Sequence, residues 1–418
     1  MMATGPPTFA HEPQGKVSTE VLRGLTRRAT RADDVGRHGD VRQAVSAGRA
    51  VAPARGPGAR LATGGKDEVT DIRVVMAEGR DPAARGRQIG RGLGDLIEGS
   101  IAFYTGYLER RGVRAEDLRE FLAPHLAAAQ ANLPSEVALL RGMAEGAMVP
   151  FGLLFAVNAF EELDPLVRRP AVRDRCSSFS VRAPDHTLLG HNEQWLAGDL
   201  GNIAVVIERP GAGEPAVVSP TVVCCLPSVG LNEHGGSQAI QSLVANDDGV
   251  GVPRVLVSRH ALAASERLDA VRRAGAPGRA GGYAHVFAFE GGEAFMVETT
   301  AKRSSVLEGP GPHTNHYLDP DLATLAPEPS GGSQARYDRL ITLLEERRPA
   351  TPPEAMDVLR DHESAPQPIC LHPAEGDDDD AEAVLFSMVC HVESRRMWVA
   401  AGPPCTHPFE EIDLSGVM

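Results

Sequence analysis

Arg175-Cys176-Ser177-Ser178-Phe179-Ser180-Val181 is the stretch on which the fold turns. Before it, apolar residues recur at three- and four-residue steps; after it, they alternate every second position. Cys176 therefore opens a strand at the boundary between a helical half and a sheet half. A chain that cuts itself before such a cysteine gains an α-amine beside the thiol, with an ordinary pKa of roughly 7.7–8.0. That amine can act as general base, which puts nucleophile and base in one residue. The plainer reading is a core cysteine, because free cysteine is among the most buried residue types.

Upstream, residues 69–77 alternate and read as a first strand. Residues 85–111 carry Ile89, Leu93, Leu96, Ile97, Ile101, Tyr104 and Leu108 on one helical face, with Gly112 as the stop. Helices follow over 118–131 and 134–147, the latter with Pro134 in its first turn. Residues 151–163 are apolar on several sides and read as buried, with Asn158, Glu161 and Glu162 as a capped or solvated helix end. Downstream, 178–182, 187–191 and 203–208 read as adjacent antiparallel strands, with Ala183-Pro184-Asp185-His186 as a turn. Segments 217–226 and 236–244 extend that sheet, 252–265 and 268–274 form a helix pair, and 283–290 with 294–300 form a hairpin. Helices at 334–347 and 353–361 and strands at 383–392 and 396–401 close the chain. Helices, strands, helices, strands is an α+β pattern.

Composition narrows the function. The 418 residues carry a net charge of −14. Residues 1–66 hold 11 Lys/Arg against 5 Asp/Glu, which leaves the remainder at −20. So acidic a body argues against nucleic acid, because phosphate binding needs a positive footprint. No apolar run approaches the ~18 residues of a membrane span, and the N-terminus lacks the apolar core of a secretory signal. Six cysteines at no framework spacing suit free thiols in a reducing, cytoplasmic setting. Residues 1–66 show no sustained apolar period and read as a disordered extension; 67–418 read as a single domain.

Several motifs recur in order after Cys176: LLGHNEQW (188–195), VGLNEHG (229–235), GVPR (251–254), HTNHYL (313–318), the Ser333-x-x-Arg336 helix start and DHESAPQPICLH (361–372). With PSEVALLRGMAEGAMVPFGLLFAVNAFEEL (134–163) upstream, this ordered set resembles the autoproteolytic family typified by acyl-coenzyme A:6-aminopenicillanic-acid acyltransferase, within the N-terminal-nucleophile hydrolases. The resemblance runs from about residue 70 to the C-terminus. It implies a four-layer αββα sandwich, where periodicity alone gives only α+β.

The resemblance also implies the site. Cys176 is the nucleophile, and cleavage at Arg175–Cys176 yields a small chain, 1–175, and a large chain, 176–418. Arg175 stands where the family's type member has glycine. Ser178 matches a hydroxyl-bearing position that hydrogen-bonds the new amine. Asn192 matches the family's asparagine, and Gln194 replaces the aspartate that holds the amine. Gln241 falls where the family has its oxyanion-hole asparagine. Glu193 or Asp199 could compensate for the lost carboxylate, although strand alternation points Glu193 away from Gln194. Ser333, Arg336, His313 and Asn315 fall on substrate-binding motif positions. For Ser333 the plain alternative is a helix N-cap.

His313/His316, Cys370/His372, Cys390/His391 and Cys405/His407 lack the tight paired spacing of zinc sites and read as core or pocket-lining residues. Neither a metal nor a cofactor is implied. Cys224-Cys225 read as core, and 377–380 as a solvated acidic loop. The reading that follows is an acyltransferase, with a small-molecule acyl donor, acyl-coenzyme A among them, and an amine acceptor, in specialised metabolism. An amidohydrolase of acylated amino compounds and a non-catalytic binding protein are the alternatives.

Overall fold

The computed structural model describes residues 72–167, 175–211, 213–364, 367–374, 376–414 and 417. The extension read over 1–66 lies outside the described residues. Strand β1 (Arg73–Glu78) leads into the helices α1 (Pro82–Arg110), α2 (Ala115–Asn132), α3 (Pro134–Ala147) and α4 (Phe151–Asn158), with a single helical turn at Asp164–Val167 after them. After Cys176 come β2 (Ser177–Arg182), β3 (Thr187–Leu196), β4 (Ile203–Arg209), β5 (Val217–Val222), β6 (Gly230–Asn232) and β7 (Gly236–Leu243). Helices α5 (Arg254–Leu262) and α6 (Arg267–Ala274) precede β8 (Gly282–Phe289), β9 (Glu293–Thr299), β10 (Ser304–Glu308) and β11 (Pro312–His313). Helices α7 (Gly331–Arg347) and α8 (Pro352–Leu359) and strands β12 (Glu382–His391), β13 (Arg396–Ala400) and β14 (Glu410–Ile412) finish the order. Among the described residues no helix is long and apolar enough to cross a membrane.

Local chemistry explains the helical half. The Asp81 side chain caps α1 by accepting from Ala83 N at 3.1 Å, and Pro82 supplies a fixed φ at the first turn. Its apolar face, Ile89, Leu93, Ile97, Ile101, Tyr104 and Leu108, is buried. Gly86 lets α3 pack against it closely, since a Cβ there would stand 2.0 Å from Leu139 O. The helix read over 151–163 stops at Asn158 instead. Its side chain is no solvated end: fully buried, it donates to Leu154 O (2.9 Å) and Cys224 O (2.8 Å) and accepts from Leu226 N (2.9 Å). Glu161 and Glu162 are buried too, held by Arg254 from the GVPR segment; its Nη1 lies 2.7 Å from Glu162 Oε1. A buried carboxylate needs such a cation, and no sequence period reveals one from 90 residues away.

The strands form two sheets. An eight-stranded sheet runs β1-β4-β5-β6-β7-β8-β9-β10, and a six-stranded sheet runs β11-β2-β3-β12-β13-β14. Here the sequence reading of three adjacent strands is corrected. β2 and β3 pair as expected, but β4 crosses to the other sheet and pairs β1 in parallel and β5 antiparallel. The reason lies in β4 itself, which is apolar on both faces. Ala204 and Val206 pack toward the α1–α4 core, while Ile203, Val205 and Ile207 pack into the space between the sheets. Only a strand with a helical layer on one side and a second sheet on the other buries both faces.

Two further cores complete the layers. α5 and α6 cover the outer face of β8 and β9 through Ala261, Ala270, Phe287 and Phe295. α7 and α8 cover the six-stranded sheet through Leu340, Leu343, Met356, Phe179 and Val389. The result is helices, sheet, sheet, helices: the αββα sandwich that the resemblance implies. The site lies where the inner faces of the two sheets meet the end of the helical layer.

His285 on β8 is fully buried between the rings of Tyr283 and Phe287, with no partner for either ring nitrogen among the described residues. Burial, helped by the Arg279 charge, holds its pKa down at about 3. The folded state therefore refuses a proton that the unfolded chain takes up near its ordinary value of about 6.5. This contribution to stability is intact above that pH and is lost as pH falls toward 3. Urea unfolding of wild type and His285→Phe should show the balance moving toward the variant below pH ~6.5, by up to about 1.4 kcal/mol per pH unit. A pH-independent difference would contradict the assignment.

Candidate active site around Cys176

The β2–β3 hairpin builds the site. Arg182 pairs with Thr187 across the turn, and the register runs without slippage to Ser177 opposite Asn192. Extended one step past the last ladder pair, this register sets Cys176 opposite Glu193, and residues directly opposite in an antiparallel pair share a face. The Cys176 thiol accordingly donates toward Glu193 Oε1 at 3.4 Å, and Gln194 O lies 4.0 Å from its sulfur. On the same face, Glu193 Oε2 is 3.1 Å from His191 Nε2, and His191 Nδ1 is 2.7 Å from Ser178 Oγ. Gln241 on β7 reaches across from the facing sheet and gives its Nε2–H to Ser178 Oγ.

With His191 neutral and Glu193 ionised, one order of protons satisfies this chain. Because the Gln241 amide donates to Ser178 Oγ, the Ser178 hydroxyl is free to donate to His191 Nδ1. His191 then carries its proton on Nε2 and donates to Glu193, leaving Glu193 Oε1 to accept from the thiol. The line is buried except at Glu193, which is part-exposed. Burial first, and the Glu193 charge second, push the Cys176 thiol well above its ordinary pKa. Resting Cys176 is a thiol beside an acceptor, not a thiolate.

A cavity opens at the sulfur. Phe160, Trp195, Val222, Val229, Ile240 and Phe386 give it apolar walls, Thr221, Ser242 and Tyr283 add hydroxyls, and Glu161 and Glu193 are the charged groups among its described lining residues. Burial pushes the Tyr283 phenol well up, so it remains a neutral hydroxyl.

The peptide before Cys176 is held tightly. Asn315 Oδ1 accepts from Arg175 N at 2.8 Å and from Arg336 Nη2 at 2.8 Å, and its Nδ2 donates to Ser242 O at 3.2 Å. Buried Arg336 also donates through Nε to Ser177 Oγ at 3.1 Å. The Arg175 side chain is itself buried, 4.1 Å over the Trp195 ring and 3.1 Å from Glu382. Burial opposes its charge, and Glu382, Glu161 and Asp164 outweigh burial, so its pKa is raised.

The site expected from sequence is thus brought together in part. Cys176, Ser178 and Gln241 converge between the sheets. Gln194 and Asn192 do not: strand alternation turns both to the α8 side, where Gln194 Nε2 donates to Ile369 O (3.0 Å) and Asn192 Nδ2 to Leu359 O (3.0 Å) and Ile369 O (2.9 Å). Glu193, read as facing away, takes the place beside the thiol. Asp199 is buried with Asn202 Nδ2 donating to it, near Tyr104. Gln241 gives its amide to Ser178 and leaves Oε1 without a partner among the described residues.

Asn315 holds the Arg175 backbone N–H and Arg336 the Ser177 hydroxyl, and neither lines the cavity. Ser333 is not the N-cap of α7, a role Ser330 fills by accepting from Ser333 N at 3.1 Å. Its hydroxyl instead lies 2.8 Å from His316 Nδ1 and accepts from Asn315 N at 2.9 Å. His313 spends both ring nitrogens, on Thr314 O (2.6 Å) and Glu298 Oε1 (2.8 Å). His191 escaped the sequence reading and Glu193 entered it only as a substitute for the lost carboxylate; the register of the hairpin is the signal that places both.

A family model described as acyl-coenzyme A:6-aminopenicillanic acid acyl-transferase matches residues 181–405, more than half of the chain. No curated protein sequence matches. Solved structures that match include a variant of conjugated bile acid hydrolase from Clostridium perfringens, at 12% identity and a TM-score of 0.41, covering 58% of this chain and 93% of that one. Penicillin V acylase from Agrobacterium tumefaciens matches at 13% identity and a TM-score of 0.39, covering 57% of this chain and 86% of that one.

The geometry makes Glu193→Gln diagnostic. Removing a carboxylate beside a thiol lowers the thiol pKa, so the midpoint of iodoacetamide reactivity against pH should fall for Cys176. An unmoved midpoint would separate Glu193 from the thiol.

Proposed function

Because the chain belongs to the acyl-coenzyme A:6-aminopenicillanic acid acyl-transferase family, we propose that Cys176 is the nucleophile of an acyl-transfer reaction. The observation that carries this reading is the continuous line Gln241–Ser178–His191–Glu193–Cys176, ending at a sulfur that faces an apolar cavity. Glu193 takes the thiol proton, and His191, oriented by Ser178 and Gln241, steadies the carboxylate. General-base assistance of this kind contributes about 10²–10⁴ in rate.

The first substrate is the chain itself. The Cys176 sulfur attacks the Arg175 carbonyl, the C–N bond breaks as the nitrogen takes up a proton, and a thioester to Arg175 results. Water then cleaves the thioester, releasing 1–175 with a new carboxylate and freeing the Cys176 thiol and α-amine. The clamp of Asn315 and Arg336 supports this step, since it fixes the residues on both sides of Cys176, Arg175 through its backbone N–H and Ser177 through its hydroxyl. Ser333 supports the clamp through Asn315.

In turnover the Cys176 sulfur attacks the acyl carbon of a thioester or amide donor, whose thiol or amine leaves with the Cys176 proton; an acceptor amine then attacks the acyl-sulfur bond, gives up a proton and frees the Cys176 thiol. The apolar walls favour an apolar acyl group. The Glu161 and Glu193 carboxylates and the acidic body favour an amine over an anionic acceptor. Water in place of the amine gives an amidohydrolase.

The test is a panel of apolar acyl thioesters and amides given to the purified chain, with the adduct located by peptide mass. The proposal expects the acyl group on the peptide containing Cys176, lost in Cys176→Ala, and acylation slowed about 10²–10⁴-fold in Glu193→Gln. Adding an amine should divert the product from free acid to amide. No adduct from any donor would leave the binding-protein reading standing and remove this one.

A further inference from the structure

Three exposed side chains from two loops meet: His362 and His372 on the connection from α8 to β12, and Cys405 after β13. One imidazole nitrogen from each histidine and the Cys405 sulfur all lie within 4.8 Å of one another. The two rings stand edge to face, with centroids 5.4 Å apart at 67°. The loops that carry them are held by backbone. Cys370 N donates to Asp361 O at 2.9 Å, Thr406 N and His407 N both donate to Pro403 O at 3.0 Å, and Arg360 Nε donates to Pro404 O at 3.0 Å. Donors from two separate loops are thus brought to one point by fixed frames.

The donor set is selective. Two imidazoles and one thiol suit a borderline-soft late transition metal, and they contain no carboxylate for calcium or magnesium. Sequence spacing hid the group because each Cys-x-His pair splits. His372 joins the cluster, whereas its partner Cys370 is buried beside Cys405 and does not join. Cys405 joins too, whereas His407 turns back to the Pro403 carbonyl at 3.2 Å.

We propose that His362, His372 and Cys405 bind one divalent late transition metal, zinc foremost, with three protein ligands and a fourth position open to water. On binding, Cys405 gives its thiol proton to solvent and the sulfur bonds the metal as thiolate. The bound metal staples the 362–372 segment to the loop after β13. That segment is where Ile369 O receives the amides of Asn192 and Gln194, so the staple braces the back of the strand that carries Glu193.

The full chain, stripped of metal and kept reduced, is titrated with Co²⁺ and then Zn²⁺. One equivalent of cobalt should give tetrahedral d–d bands and a thiolate-to-cobalt charge-transfer band, both abolished by zinc. Zinc should also raise the thermal midpoint, as any ligand of the folded state does. Cys405→Ser should remove the charge-transfer band, and Cys405→Ser and His372→Ala should each weaken zinc binding by more than the ~10–100-fold that loss of an outer-shell partner costs. His407→Ala should change neither readout. An octahedral cobalt spectrum, or equal zinc affinity in wild type and Cys405→Ser, overturns the proposal. Neither result bears on Cys176.

Discussion

One constraint organises the active region: residues directly opposite in the β2–β3 hairpin share a face, and the unslipped register sets Cys176 opposite Glu193. A register shifted by one would bring Gln194 to the sulfur and send Glu193 into the α8 layer. The flanking pairs guard against that. Phe179 and Leu188 are both committed to the α7–α8 core, so a slip would drive apolar groups to the wrong side of the sheet. Packing on one face of the sheet thereby fixes chemistry on the other.

The surroundings of the sulfur carry an unusual load of buried charge: Arg175, Arg254, Arg336, Glu161 and Glu162 are all buried. Removing one partner from such a pair costs about 3–5 kcal/mol, because the other charge is stranded. A fold that keeps them gains geometry in return. Arg254 holds the two glutamates at the end of the helical layer, and Arg336 with Asn315 holds the chain on both sides of Cys176. These groups come from four stretches far apart in sequence, and only the meeting of two sheets with two helical layers brings them together.

Much of this was legible in the sequence. Residues 134–147 end where read, because Pro134 and the left-handed Met148 leave no other boundaries. The Cys176 strand, the hairpin turn at 183–186 and the outer helices follow from period and punctuation. The turn even held the key to the site: with 182 opposite 187, counting back gives 176 opposite 193. What sequence could not give was non-local. The sheet switch of β4 depends on a helical layer waiting for its second face, and the short β6, β11 and β14 carry too few residues to show a period. Arg254's partners, and the polar burial of Asn158, need the tertiary fold to appear at all.

The account rests on Cys176 being a nucleophile that Glu193 can activate before any α-amine exists. Intact-mass and N-terminal analysis of freshly folded wild type, Cys176→Ala and Glu193→Gln addresses this directly. The account predicts a large fragment beginning at Cys176 from wild type, an uncut chain from Cys176→Ala, and cleavage delayed in Glu193→Gln. A wild-type chain that stays whole, or one cut equally fast without the carboxylate, would contradict it.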